Sequence, residues 1–152
     1  MNDNNQAPFR GIHEECGVFG VYGVKNAAEI TYYGLHSLQH RGQEGCGIVS
    51  VNDEGQLRRV KGQGLVTEVF NNDNLSSLKG SMAMGHVRYS TTGGGGIENV
   101  QPFLFRHNSG DFARVHNGNV VNSAQLRKYL EDRGSLFQST SDSEILAHLI
   151  KK

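Results

Sequence analysis

Cys16 is the residue with the most chemistry to offer. It lies where a polar opening stretch, Met1 to Glu15, gives way to Cys16-Gly17-Val18-Phe19-Gly20-Val21-Tyr22-Gly23. A lone cysteine serves either as a small buried hydrophobe or as a nucleophile, and the second role needs a base to take the thiol proton. A cysteine at a mature N-terminus carries its own base, because an α-amine titrates near ~7.7–8.0. For Cys16 that requires removal of residues 1–15. Cys46, between Gly45 and Gly47 in a strand-like run, has no such option and is expected to be buried and inert.

Four other features carry chemistry of their own. Arg88, in Met84-Gly85-His86-Val87-Arg88-Tyr89-Ser90, is either an ordinary strand residue or a bidentate clamp on a carboxylate, which the guanidinium fork suits. His116-Asn117-Gly118-Asn119 reads as a hairpin turn, since Asn-Gly is a strong turn signal. It also reads as an oxyanion hole made by the Asn117 amide and the Gly118 N–H, and the two readings are compatible. Asp142 follows the cap residue Ser141, where an acid stabilises a helix by ~0.3–1 kcal/mol. Facing a pocket, it would pair with a substrate ammonium. His36 and His40 have the spacing of metal ligands on a helix, but no glutamate of an H-E-x-x-H motif and no third ligand accompany them. They keep open a second class of function, a metal-binding or regulatory module in which Cys16 is merely buried.

Positioning these residues calls for mixed elements. Cys16–Gly23 reads as a strand, and Ala27–His40 as a helix with Ile30, Tyr33, Leu35 and Leu38 on its apolar face. Cys46–Val51 and Gln56–Val60 form a hairpin across Asn52-Asp53-Glu54-Gly55. Short helices are expected at Leu65–Phe70 and Leu75–Lys79, and a strand at Ser81–Ser90. The tetraglycine run from Gly93 to Gly96 is loop. Strands follow at Phe103–Arg106 and Phe112–His116, parted by Asn108-Ser109-Gly110. Ser123–Arg133 is a helix stopped by Gly134, and a last helix starts at the capping box Ser141-Asp142-Ser143-Glu144. Helices mixed with hairpin-type strands give an α+β class.

Composition excludes several functions. The chain has 152 residues, 36% hydrophobic, with 15 basic and 15 acidic side chains. Zero net charge argues against a nucleic-acid partner and against disorder. No apolar run suits a membrane helix, and the opening stretch is no secretory signal, so the cytoplasm is the expected compartment. Two cysteines make neither a disulfide framework nor a metal clamp. Nucleotide-phosphate loops of either glycine-rich type are absent. Glycine stands out at 20 residues, suggesting tight turns and close backbone approaches.

In series, Glu15-Cys16-Gly17-Val18-Phe19-Gly20, Leu38-Gln39-His40-Arg41-Gly42-Gln43-Glu44, Gly85-His86-Val87-Arg88-Tyr89, Gln101-Pro102, His116-Asn117-Gly118-Asn119 and Ser141-Asp142-Ser143-Glu144 resemble the N-terminal glutaminase domain of the glutamine phosphoribosylpyrophosphate amidotransferase family. The resemblance runs from Cys16 to the end of the chain. It implies an N-terminal-nucleophile hydrolase fold, a four-layer αββα sandwich, with residues 1–15 as a propeptide and 16–152 as a glutaminase domain cut short. It implies Cys16 as nucleophile, Asn117 and Gly118 as oxyanion donors, Arg88 on the α-carboxylate of glutamine, and Asp142 on its ammonium. Thr91 would assist at the carboxylate, and Arg41 would belong to a lid. In the family the ammonia converts phosphoribosylpyrophosphate to phosphoribosylamine, the first step of purine synthesis. That takes place in a phosphoribosyltransferase domain absent here, where Mg2+ and, in some members, a [4Fe-4S] cluster belong. A homo-oligomer is implied for the full enzyme. A related reading couples the same glutaminase to another acceptor, as in glucosamine-6-phosphate synthase or asparagine synthetase.

Overall fold

The computed structural model describes residues 16–89, 96–118 and 120–150. The expected propeptide, Thr91 and most of the tetraglycine run lie outside the described residues. The elements are β1 (Gly17–Tyr22), α1 (Ala27–Ser37), β2 (Gly45–Val51), β3 (Leu57–Gln63), α2 (Val66–Val69), α3 (Asn72–Ser76), β4 (Met82–Arg88), β5 (Phe103–Phe105), β6 (Phe112–Arg114), α4 (Ser123–Glu131) and α5 (Asp142–Ile150). The class is α+β. One sheet has the order β1-β4-β2-β3, the other pairs β5 with β6, and every pairing is antiparallel.

The expected hairpin forms where Asn52 can build the turn with its own side chain. Its Oδ1 accepts from the Glu54 and Gln56 amides at 3.1 and 2.8 Å, and Gly55 takes φ 77. β2 is buried from Gly45 to Ser50 because both of its faces are covered. Cys46 and Ile48 join the core beneath α1, along with Val87, Leu35 and Val66. On the opposite face the chain from Asn99 to Pro102 lies directly against Gly47, where an added Cβ would sit 2.4 Å from the Gln101 carbonyl oxygen.

α1 starts at the expected Ala27 but ends at Ser37, three residues before the expected His40. Only part of the expected apolar face, Leu35 and Leu38, packs on the core. Its buried positions are Ala27, Ala28, Thr31 and Leu35, whereas Ile30 and Tyr33 are 40% and 61% exposed. The approach is too close for large side chains: at Gly34 a Cβ would lie 2.4 Å from the Phe19 ring. Ala27, Ala28 and Thr31 therefore face the strands together with Leu35, while Ile30 and Tyr33 stay outside. α3 begins three residues before the expected Leu75, because Asn71 and Asn74 cap each other reciprocally at 2.9 and 3.0 Å.

α4 ends as the sequence suggests. Ser135 N–H donates to Leu130 O at 3.0 Å and Gly134 N–H to Glu131 O at 2.9 Å, with Gly134 at φ 87. The start of α5 is only half a capping box. Ser141 Oγ accepts from the Ser143 amide at 3.3 Å, but Glu144 turns away. Its carboxylate, 4% exposed, accepts from Gln138 N, Ser139 N and Ser139 Oγ at 2.9, 2.8 and 2.7 Å. The expected hairpin at Asn117-Gly118 is corrected too: β6 ends at Arg114 and the next element is α4, so among the described residues no strand follows the turn. Among the described residues no helix is long and apolar enough to cross a membrane.

Candidate active site

Register brings the site together. Gly17 pairs with Val87, so Cys16, just before β1, meets the chain just beyond β4. The Tyr89 N–H donates to Cys16 Sγ at 3.4 Å, and the thiol is 3.5 Å from the Tyr89 carbonyl oxygen. Cys16 is half-buried and adopts φ 48, a left-handed conformation uncommon for a residue with a side chain. Its carbonyl oxygen accepts from Arg41 Nε at 2.8 Å and from Asn117 Nδ2 at 3.3 Å. Residues distant in sequence thus converge on the backbone and sulfur of one cysteine.

Each partner is positioned by an element. Arg41 closes a single turn of 3-10 helix (Gln39–Arg41) after α1. The following Gly42 lies against the end of β4, where a Cβ would come within 2.5 Å of the Arg88 carbonyl carbon. The Glu44 amide donates to Arg88 O at 3.1 Å, which fastens this segment to the strand. Arg88 itself is the half-buried last residue of β4. Asp142, the first residue of α5, accepts the Val120 amide at 2.6 Å, tying that helix to the segment that carries Asn117 and Gly118. Gly118 has φ 154, a conformation that favours glycine. Arg114 donates to Ser143 O at 3.0 Å; burial lowers its pKa, and the charge of Asp142 works the other way. Cys16, Arg41 and Asn117 are thus in direct hydrogen-bond contact, and Arg88 adjoins Tyr89. Asp142 is held by its bond from the Val120 amide.

The sequence did not single out His86 or assign a role to Gln101. Gln101 pairs with both backbone groups of His116: Oε1 accepts from the amide at 2.7 Å and Nε2 donates to the carbonyl at 3.0 Å. His86 is 0% exposed. Burial first, then the charges of Arg88 and His116, lower its pKa to about 4. The nearby His116 backbone opposes the shift, yet neither ring nitrogen makes a hydrogen bond within ordinary geometry. A glutamine in a segment between elements gives no local hint of a backbone partner fifteen residues away.

The two cysteines differ sharply. Cys46 is fully buried, and burial, with the Glu68 charge second, pushes its thiol up to about 12. His36 and His40 are exposed, and among the described residues no group of three or more His, Cys, Asp or Glu side chains could hold a metal ion. The residues do not fit a [4Fe-4S] cluster: of the two cysteines in the sequence, one lies beside Tyr89 and the other is enclosed in the core.

A glutamine amidotransferase domain model matches residues 72–152. The amidophosphoribosyltransferase of Bacillus subtilis (strain 168) is 62% identical over 147 residues, covering 96% of this chain and 31% of the relative. That of Lacticaseibacillus casei is 58% identical over 144 residues, covering 94% and 74%. The chain thus spans about a third of the length of the first relative and about three quarters of the second. The solved structure of an allosteric regulatory enzyme of purine biosynthesis superposes with TM-score 0.85 at 62% identity, over 89% of this chain and 29% of that one. The B. subtilis glutamine phosphoribosylpyrophosphate amidotransferase bound to ADP and GMP gives 0.82 at 60% identity, over the same shares. By this domain match and these identities, the chain belongs to the amidophosphoribosyltransferase family and carries its glutamine amidotransferase domain.

Proposed function

We propose that this chain is the glutaminase half of an amidophosphoribosyltransferase, which splits glutamine into glutamate and ammonia through a thioester on Cys16. Cleavage after Glu15 frees the Cys16 α-amine, which takes the thiol proton. The sulfur attacks the side-chain amide carbon. The negative oxygen that forms is held by the Asn117 side chain and the Gly118 N–H. The protonated amine then gives its proton to the departing ammonia, and water hydrolyses the thioester to release glutamate. Arg88 binds the α-carboxylate, assisted by Thr91, while Asp142 binds the α-ammonium and Arg41 covers the site as part of a lid.

The single observation that carries this reading is the convergence of Arg41, Asn117 and the Tyr89 backbone on Cys16. A fork-shaped cation and an acid suit a zwitterionic substrate, because an analogue lacking either charge leaves a site charge unpaired. The layering supports an αββα sandwich of the N-terminal-nucleophile type, with α1 on one side of the larger sheet and the 99–105 segment on the other. In the whole enzyme the ammonia would pass to phosphoribosylpyrophosphate, giving 5-phosphoribosylamine.

The test is covalent labelling with a diazoketone mimic of glutamine, followed by peptide mapping and intact mass. The expected result is label on Cys16 in a chain that has lost residues 1–15, together with loss of glutamine hydrolysis in Cys16→Ser. Label on Cys46, or normal turnover by Cys16→Ser, overturns the proposal.

A further inference from the structure

We infer that Gln101 is the positioning residue that sets the oxyanion donors of Asn117 and Gly118, an inference that rests on the reading of those two residues given above. Its amide meets the His116 backbone as a neighbouring strand would, with one acceptor on the N–H at 2.7 Å and one donor on the C=O at 3.0 Å. This pairing also dictates which end of the amide is oxygen and which nitrogen. The residue so held immediately precedes Asn117. No strand or helix includes residues 115–118, so regular backbone pairing does not fix their course.

The support behind Gln101 is rigid. Lys61 Nζ donates to the carbonyls of Ile97 and Val100, both at 2.8 Å. Arg59 Nη1 donates to Pro102 O at 3.1 Å. The Gln101 carbonyl lies on Gly47 of β2. Asn99 Oδ1 accepts from the Thr140 amide and hydroxyl at 3.2 and 3.3 Å, which joins the same strap to the start of α5. Gln101 is 6% exposed, so water does not compete for its amide. The buried amide therefore transmits the position of the sheet to a loop whose donors must point at a transition state. A loop free to shift by an ångström would lose roughly 10²-fold in rate, even with every reacting group present. His86, on the same face of the sheet opposite Gly47, is uncharged near neutral pH and puts no competing charge beneath the clamp.

The experiment is steady-state glutaminase kinetics on the full-length protein. Gln101→Leu is expected to lower kcat roughly 10²-fold while KM for glutamine stays within about threefold. In Asn117→Ala only the Gly118 donor is left to position, so adding Gln101→Leu should cost clearly less than its effect in the wild type, about tenfold or less. Gln101→Glu keeps the acceptor for the His116 amide and regains a donor only when its carboxyl is protonated. Its activity relative to wild type should therefore rise as pH falls from about 8 to about 6. This variant decides the matter if Gln101→Leu does not fold. Retained kcat in folded Gln101→Leu, full multiplication of its effect with that of Asn117→Ala, or a flat pH ratio for Gln101→Glu overturns the inference. Normal turnover in Asn117→Ala overturns the oxyanion reading beneath it. A slow Asn117→Ala beside a normal Gln101→Leu sinks the positioning role alone.

Discussion

At Cys16, hydrogen bonds act on two different atoms. The Tyr89 N–H at 3.4 Å and the Tyr89 carbonyl oxygen at 3.5 Å meet the sulfur, whereas Arg41 and Asn117 hold the carbonyl oxygen of the same residue. Substitutions around it should therefore separate kinetically. Under the proposed carboxylate clamp, Arg88→Ala is expected to raise KM for glutamine at least tenfold with little change in kcat, the pattern of lost binding common to ground and transition states. Asn117→Ala should lower kcat by about 10²–10³-fold, equivalent to ~2.7–4 kcal/mol. Both are read from initial rates over a range of glutamine concentrations. Positions 16, 88 and 117 each carried a structural and a functional reading in the sequence, and only the series of motifs as a whole pointed to a site. The structure brings Cys16 and Asn117 into contact. Gln101 had no role legible in the sequence, since an amide side chain does not reveal which backbone it will meet.

Among the elements, the strands and hairpin followed their patterns closely, and so did the glycine stop after α4. The misreadings share one cause, a neighbour that local pattern cannot see. Ile30 and Tyr33 have the right spacing for a buried face, but Phe19 presses on Gly34, and the buried positions are Ala27, Ala28, Thr31 and Leu35 instead. Glu144 has the right spacing for a cap, but Gln138 and Ser139 claim its carboxylate. Asn117-Gly118 has the right letters for a hairpin, but Gln101 occupies the backbone that a second strand would have used. Such contacts also make β2 intolerant of added bulk. Gly47→Ala would place a methyl group 2.4 Å from a backbone oxygen and 2.8 Å from the Lys61 Cβ. The expected cost is ~1–3 kcal/mol. A thermal melt should show a drop of about 2–4 °C for each kcal/mol.

For the molecule as a whole, one buried imidazole makes stability depend on acidity. Unfolded, His86 takes up a proton near pH 6.5; folded, burial and the charges of Arg88 and His116 delay this to about 4. The unfolded chain therefore binds more protons between those values, so stability falls as pH drops through that window and this contribution levels off below it. His86→Leu should flatten the dependence of melting temperature on pH between 6.5 and 4. An equally steep curve in that variant would remove His86 as the cause.

The pairing of β1 with β4 has a broader consequence. A slip of one residue would flip every side chain of β1 to the wrong face and carry Cys16 away from Tyr89. Under the proposed cleavage after Glu15, such a misaligned molecule could not shed its leader. The state of the amino terminus would then be a record of folding history, and weighing a purified sample would count the copies whose sheet once formed in the right alignment.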